Sequence, residues 1–188
     1  YIERLPQCEP KLAITRNGLD LGLLERAARK TAKIPGRVTY VSRPERGLKH
    51  LLEYIWPGLK KALPHLELKL CGYQVDATDL HPDLQAEYAH ITQLISDSPG
   101  VEQLGALAKE DYYAHLASCQ ALLYPCIFPE ISCISALEAQ GVGTPIITSD
   151  EYALSETVLP SEFKVPGKPG SPQYLEAYFK RALELLKN

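Results

Sequence analysis

Apolar positions along the chain follow two alternating rhythms. Short apolar or β-branched runs occur at Arg37–Val41, Leu66–Cys71, Val101–Leu104, Ala121–Tyr124, Ile146–Thr148 and Phe163–Val165. Between them the spacing changes to threes and fours: Leu21 to Lys33; Leu48, Leu51, Leu52, Ile55 and Leu59; Leu84, Tyr88, Ile91, Leu94 and Ile95; Lys109 to Ser118; and Gln173 to Lys187. The first rhythm predicts buried strands and the second predicts one-faced helices. A further short helix is predicted over Asp150 to Val158, and Pro57-Gly58 should kink or split the helix that starts at Leu48. Regular strand–helix alternation means βαβ units, hence an α/β domain in three layers with a parallel sheet between helices. Ligands of such sheets gather beyond the carboxyl ends of the strands. The loops Ser42–Arg46, Gly72–Tyr73, Gly105–Leu107, Glu130–Glu138 and Ser149–Asp150 are therefore predicted to line one crevice.

The stretch Phe128 to Ser149 reads as a loop, a short helix, a glycine stop at Gly141 and Gly143, and a buried strand. Ser132 or Ser135 can cap that helix. Glu130 and Glu138 stand eight positions apart across the loop-to-helix junction, so both can face one crevice. Free N–H groups at such a helix start favour an anion, often a phosphate. A plainer reading is also open: Ser135-Ala-Leu-Glu138 is a capping-box pattern, and Glu130 is then a solvated loop acid. The segment Ser42 to Gly47 brings Arg43 and Arg46 beside another helix start. Guanidinium forks suit phosphate oxygens, although Ser42-Arg-Pro-Glu45 is itself a capping box. Gly72 and Gly105 close their strands, and Gly105 permits close approach of the backbone to a ligand. Glu156 is read as structural, and Trp56 as core or an interdomain contact.

Composition narrows the function. The chain has 188 residues, 45% hydrophobic and 23% charged, which suits one soluble core. A net charge of −3 offers no general attraction for nucleic acid or an anionic membrane, so phosphate binding must be local. No apolar run reaches the ~18 residues of a transmembrane segment, and no signal peptide is expected. The five cysteines form no C-x-x-C pair and lie in or beside apolar runs, as core residues of a reducing compartment do. A cytoplasmic location is expected. The five histidines show no metal-ligand spacing, and Asp76, Asp79 and Asp83 lack the glycine and terminal glutamate of a calcium loop. The chain contains no methionine, so a longer polypeptide is expected around it.

Taken together these residues resemble a known family. Asn17-Gly18-Leu19-Asp20, the strand and basic loop within Val38 to Leu52, Val101 to Gly105, the E-x7-E pattern from Phe128 to Glu138, and Ala139, Gly143, Pro145 and Ala153-Leu154…Glu156 follow one another as in the C-terminal, donor-binding domain of GT-B glycosyltransferases. The resemblance is to the retaining family 4, glycosyl transferases group 1. It departs from the common pattern at Ser42, Arg46, Ser132-Cys133 and Gln140-Gly141.

The resemblance implies a Rossmann-like half of a GT-B fold, with residues 1–16 as entry segment, 17–172 as the nucleotide-sugar domain and 173–188 as a C-terminal helix. It implies a hexosyltransferase-type reaction that retains the anomeric configuration, uses a nucleoside diphosphate sugar as substrate and needs no cofactor or metal. Arg43, Arg46 and Glu130 would be catalytic, with Glu130 on the donor-sugar hydroxyls. Ser42, Gly72, Gly105, Ile131, Ser132, Cys133, Ile134 and Glu138 would bind substrate, with Glu138 on the ribose. An N-terminal acceptor-binding domain of the same polypeptide would be the partner, and this chain alone would be inactive. Two other readings remain open: a non-catalytic nucleotide-sugar-binding module, and a nucleotide-sugar epimerase of the same architecture.

Overall fold

The computed structural model describes residues 17–72 and 81–187. The entry segment with Cys8, and the acidic stretch from Asp76 to Asp79, lie outside them. Six parallel strands, β1 (Arg37–Tyr40), β2 (Glu67–Cys71), β3 (Val101–Gly105), β4 (Ala121–Tyr124), β5 (Ile146–Ser149) and β6 (Lys164–Val165), form one sheet in the order β3-β2-β1-β4-β5-β6. All eight residues of β4 and β5 are buried. Their unbroken apolar runs thus report strands covered on both faces.

The helices divide between the two faces. On one, α1 (Leu21–Lys30), α5 (Lys109–Ser118) and α6 (Ile134–Gly141) pack together. On the other lie α2 (Leu48–His50), α3 (Trp56–Ala62), α4 (Pro82–Asp97) and α8 (Pro172–Lys187). The short α7 (Leu154–Thr157) follows β5 and covers less than the predicted Asp150–Val158, since Tyr152 takes a left-handed φ of 52° within the turns before it. Helix α8 is tied to the sheet by the Tyr178 phenol, which donates to the Ile147 carbonyl at 2.7 Å.

The predicted break at Pro57 takes another form. Helices α2 and α3 run on through a π-helical turn, Leu51–Ile55, in which the Trp56 amide reaches the Leu51 carbonyl. Proline lacks an N–H and its ring presses on the carbonyl four residues earlier. Widening the preceding turn relieves that clash without ending the helix. Trp56 is core: fully buried, with its indole N–H donating to the Pro99 carbonyl at 3.1 Å. Cys71, Cys119, Cys126 and Cys133 are free and buried.

Buried on α5, His115 adds a pH response. The Thr39 hydroxyl gives its proton to the Lys69 carbonyl at 2.9 Å, so its other contact, 2.9 Å to His115 Nε2, makes the imidazole the donor. Burial first, then the positive charges of Arg37 and Lys69, lower the His115 pKa from 6.5 to about 4. Between those values the unfolded chain takes up a proton that the folded chain refuses. Stability should therefore be full above pH 6.5 and fall by roughly 2–3 kcal/mol as pH drops to about 4. Denaturation across that range should give a flatter curve for His115→Gln; identical curves would show that His115 charges freely in the fold.

Candidate functional site

Strand order reverses between β1 and β4, and the crevice beyond their carboxyl ends opens into a cleft of about 1220 Å³. Ser42, Arg43, Arg46, Gly72, Glu130, Ile131, Ser132, Cys133, Ile134 and Glu138 all line it. Gly105 does not: its left-handed φ of 71° turns the chain, its carbonyl accepts from the Gly72 amide at 3.0 Å, and the next residues, Ala106 and Leu107, form the wall. Glu156, read as purely structural from its helix face, also faces the cleft.

Neither predicted capping box forms. After β1 the chain makes a 3₁₀ turn, Pro44–Arg46, with no side-chain cap, and the Ser42 hydroxyl instead donates to the Tyr124 phenol at 3.3 Å. Gly47, at φ 136°, then passes against the backbone of Pro125, so close that a Cβ would stand 2.2 Å from the Pro125 carbonyl oxygen. Helix α6 begins after Cys133, which holds a left-handed φ of 53°, again without a side-chain cap. Ser132 accepts from Asn17 Nδ2 at 2.6 Å, and Ser135 lies 3.5 Å from the Cys133 sulfur. Residues Ser132–Ser135 line the cleft, so the amides at the start of α6 are left to whatever occupies it.

Each carboxylate of the E-x7-E pair is held by one cation and one tyrosine. Glu130, 8% exposed, accepts from Arg46 Nη1 at 2.9 Å and from the Tyr124 phenol at 2.6 Å, both on Oε1. Glu138, 4% exposed, accepts from the Lys109 ammonium and from the Tyr113 phenol at 3.1 Å, again both on Oε1. A third set orders the basic loop: Glu45 meets Arg43 Nε at 3.5 Å and accepts from the Tyr88 phenol at 2.5 Å.

Burial works against the positive charges of Arg46 and Lys109, but the carboxylates opposite outweigh it and leave both pKa values raised. Burial, with the neighbouring thiol and carboxylate, pushes the Tyr124 phenol far above its ordinary value, so it stays a donor. The Arg46 guanidinium also stacks 4.1 Å from the Phe128 ring centroid, and among the described residues its buried Nε has no partner. Arg43 differs, its side chain being 53% exposed against 25% for Arg46. Lys109, Tyr113 and Tyr124 were not singled out from sequence. Lys109 does open the helix that follows β3, and Tyr124 ends β4, which are both positions on the rim of the crevice.

A cleft with two buried, cation-paired carboxylates flanking an uncapped helix start suits a ligand with both hydroxyls and anionic oxygens. The model of the glycosyl transferases group 1 family matches residues 34–188. The chain belongs to this family. A comparison with curated proteins finds no match. Solved structures of similar fold include a mutant of S. aureus TarM in complex with fondaparinux, α-GlcNAc-glycerol and UDP (16% identity, TM-score 0.66, covering 85% of this chain and 30% of that one). Anabaena HepE in complex with UDP and glucose is 19% identical, with a TM-score of 0.63 over 92% of this chain and 49% of that one. Sucrose-phosphate synthase from Thermosynechococcus elongatus is 22% identical, with a TM-score of 0.60 over 100% and 50%. At these identities the likeness is one of fold, a GT-B Rossmann-like domain. The group 1 chain described here thus spans 30% to 50% of the length of these proteins.

Proposed function

We propose that the cleft binds a nucleoside diphosphate sugar and that the chain is the donor half of a retaining, metal-independent glycosyltransferase. The arrangement that carries this reading is the pair Glu130 and Glu138, both buried and both on one cleft, on either side of the uncapped start of α6. Glu138 accepts hydroxyl protons from the ribose and Glu130 from the donor sugar, while amides from Ile131 to Ile134 approach the phosphates. As the bond from the anomeric carbon to the diphosphate oxygen breaks, negative charge grows on the leaving group. Arg46, Arg43 and the helix start are fixed where they offset that charge, without reorganising during the reaction. The acceptor would be held by an N-terminal domain of the same polypeptide, and transfer requires both sugars in register.

Titration calorimetry with uridine and adenosine diphosphates, with and without chelator, tests the binding step. Binding of at least one of them, unchanged by chelator, is expected; strict dependence on a divalent ion would overturn the metal-independent reading. The chain should transfer no sugar by itself. Joined to an acceptor-binding domain it should yield product with the donor's anomeric configuration, read by NMR, whereas a mere binding module would yield none.

A further inference from the structure

Glu130 and Glu138 are presented alike. The Lys109 ammonium and the Tyr113 phenol both donate to Glu138 on Oε1, and the Tyr112 phenol stands close by, its pKa raised by burial and by that carboxylate. A carboxylate whose one oxygen is fully engaged cannot rotate without breaking two bonds, one of them charge-assisted. Its other oxygen is thereby aimed as an acceptor. Lys109 comes from the first turn of α5, Tyr113 from the next turn of that helix, and Glu138 from α6, which packs beside it. The ammonium also stands 4.8 Å from the Tyr113 ring centroid and 5.3 Å from that of Tyr112, so its position is set from two sides. Both Lys109 and Tyr112 line the cleft.

We infer that Lys109 and Tyr113 are positioning residues that lock Glu138 as the reader of a vicinal diol, making this site selective for ribonucleotides over nucleotides lacking the ribose hydroxyls. The inference rests on the assignment of the cleft to a nucleoside diphosphate. It goes further in naming what sets selectivity: a fixed Oε2 accepts two adjacent O–H donors well, whereas a freely rotating carboxylate meets them no better than water does. Lys109 therefore acts on the ligand through Glu138 rather than by contact with phosphate.

The test is a calorimetric comparison of uridine and adenosine diphosphates with their 2′,3′-dideoxy analogues, on wild type, Lys109→Gln, Lys109→Arg and Tyr113→Phe, each checked for folding by its thermal midpoint. The wild type should prefer the ribonucleotide roughly tenfold or more, the worth of hydrogen bonds to a charged group. In Lys109→Gln the preference should shrink to within about threefold of unity, Lys109→Arg should restore most of it, and Tyr113→Phe should reduce it by roughly threefold while keeping the fold. Equal losses for both ligands in Lys109→Gln would mean that Lys109 touches the diphosphate, and would overturn the inference. So would an undiminished preference in a folded Lys109→Gln or Tyr113→Phe. A wild type that binds the diphosphates without regard to the diol would refute this inference and the ribose role of Glu138 but leave the cleft as a diphosphate site; one that binds neither diphosphate would refute the reading of the cleft beneath it.

Discussion

Gly47→Ala is expected to lose roughly 3–5 kcal/mol of stability and all measurable nucleotide binding. Gly47 holds φ 136°, which L-residues rarely adopt, and an added Cβ would lie 2.2 Å from the Pro125 carbonyl oxygen and 3.0 Å from its carbon. Those atoms are backbone, so neither can turn aside as a side-chain tip would. Backbone strain and overpacking each cost about 1–3 kcal/mol, and here they add. The contact also joins the two halves of the site: the Ile127 amide donates to the Arg46 carbonyl at 3.2 Å, so forcing Gly47 away from Pro125 moves Arg46 away from Glu130. Gly143→Ala is the control. Its φ is 75° but among the described residues nothing lies within 4 Å of the new methyl group, so only strain of about 1 kcal/mol is expected. Urea denaturation of both variants would measure the contrast, and equal losses would show that the Pro125 contact is not what counts.

Arg46→Ala and Arg43→Ala should part company. Arg46 neutralises a carboxylate that is 8% exposed, and removing it leaves Glu130 with Tyr124 alone among its charged or phenolic partners. An uncompensated buried charge costs about 3 kcal/mol or more. Arg46→Ala should therefore be destabilised on that scale as well as defective in binding a diphosphate. The Arg43 side chain is half exposed and its carboxylate partner is also held by Tyr88, so Arg43→Ala should fold normally and lose only diphosphate affinity. The double variant Arg46→Met with Glu130→Gln should regain most of the stability but none of the binding. Failure to regain it would mean that Arg46 supports the fold through its stacking on Phe128 rather than through its charge.

The sheet was legible because strands covered on both faces must be apolar throughout, as Ala121–Tyr124 and Ile146–Ser149 are. The strand-end loops followed from topology, and with them 13 of the 21 residues that line the cleft; Lys109, Tyr112 and Glu156 are among the rest. Local hydrogen-bond patterns were misleading. Ser42-Arg-Pro-Glu45 and Ser135-Ala-Leu-Glu138 match capping boxes, yet Ser42 bonds Tyr124 and Glu138 bonds Lys109 and Tyr113. Partners so far apart in the chain are competitors that no short pattern contains. The same holds for Ser132, whose partner Asn17 is 115 positions away. The cation and tyrosine beside each glutamate depend on α5 lying against α6 and on the basic loop lying against Pro125, which are tertiary facts. At Pro57 the residue that disturbs the helix was evident, but whether the disturbance becomes a break or a widened turn depends on the core that Leu51, Leu52, Ile55 and Trp56 already fill.

The central claim is that Glu138 meets the nucleotide and Glu130 meets the sugar within one cleft. A binding series of uridine diphosphate and its glucose conjugate on wild type, Glu138→Ala and Glu130→Ala, in the presence of chelator, tests it most directly. Glu138→Ala should weaken both ligands alike, by roughly tenfold or more for the lost charge-assisted contacts. In Glu130→Ala the gain in affinity conferred by the sugar should vanish while the bare diphosphate binds almost as before. A Glu138 variant that binds both ligands like wild type, or a Glu130 variant that still gains affinity from the sugar, would contradict these roles.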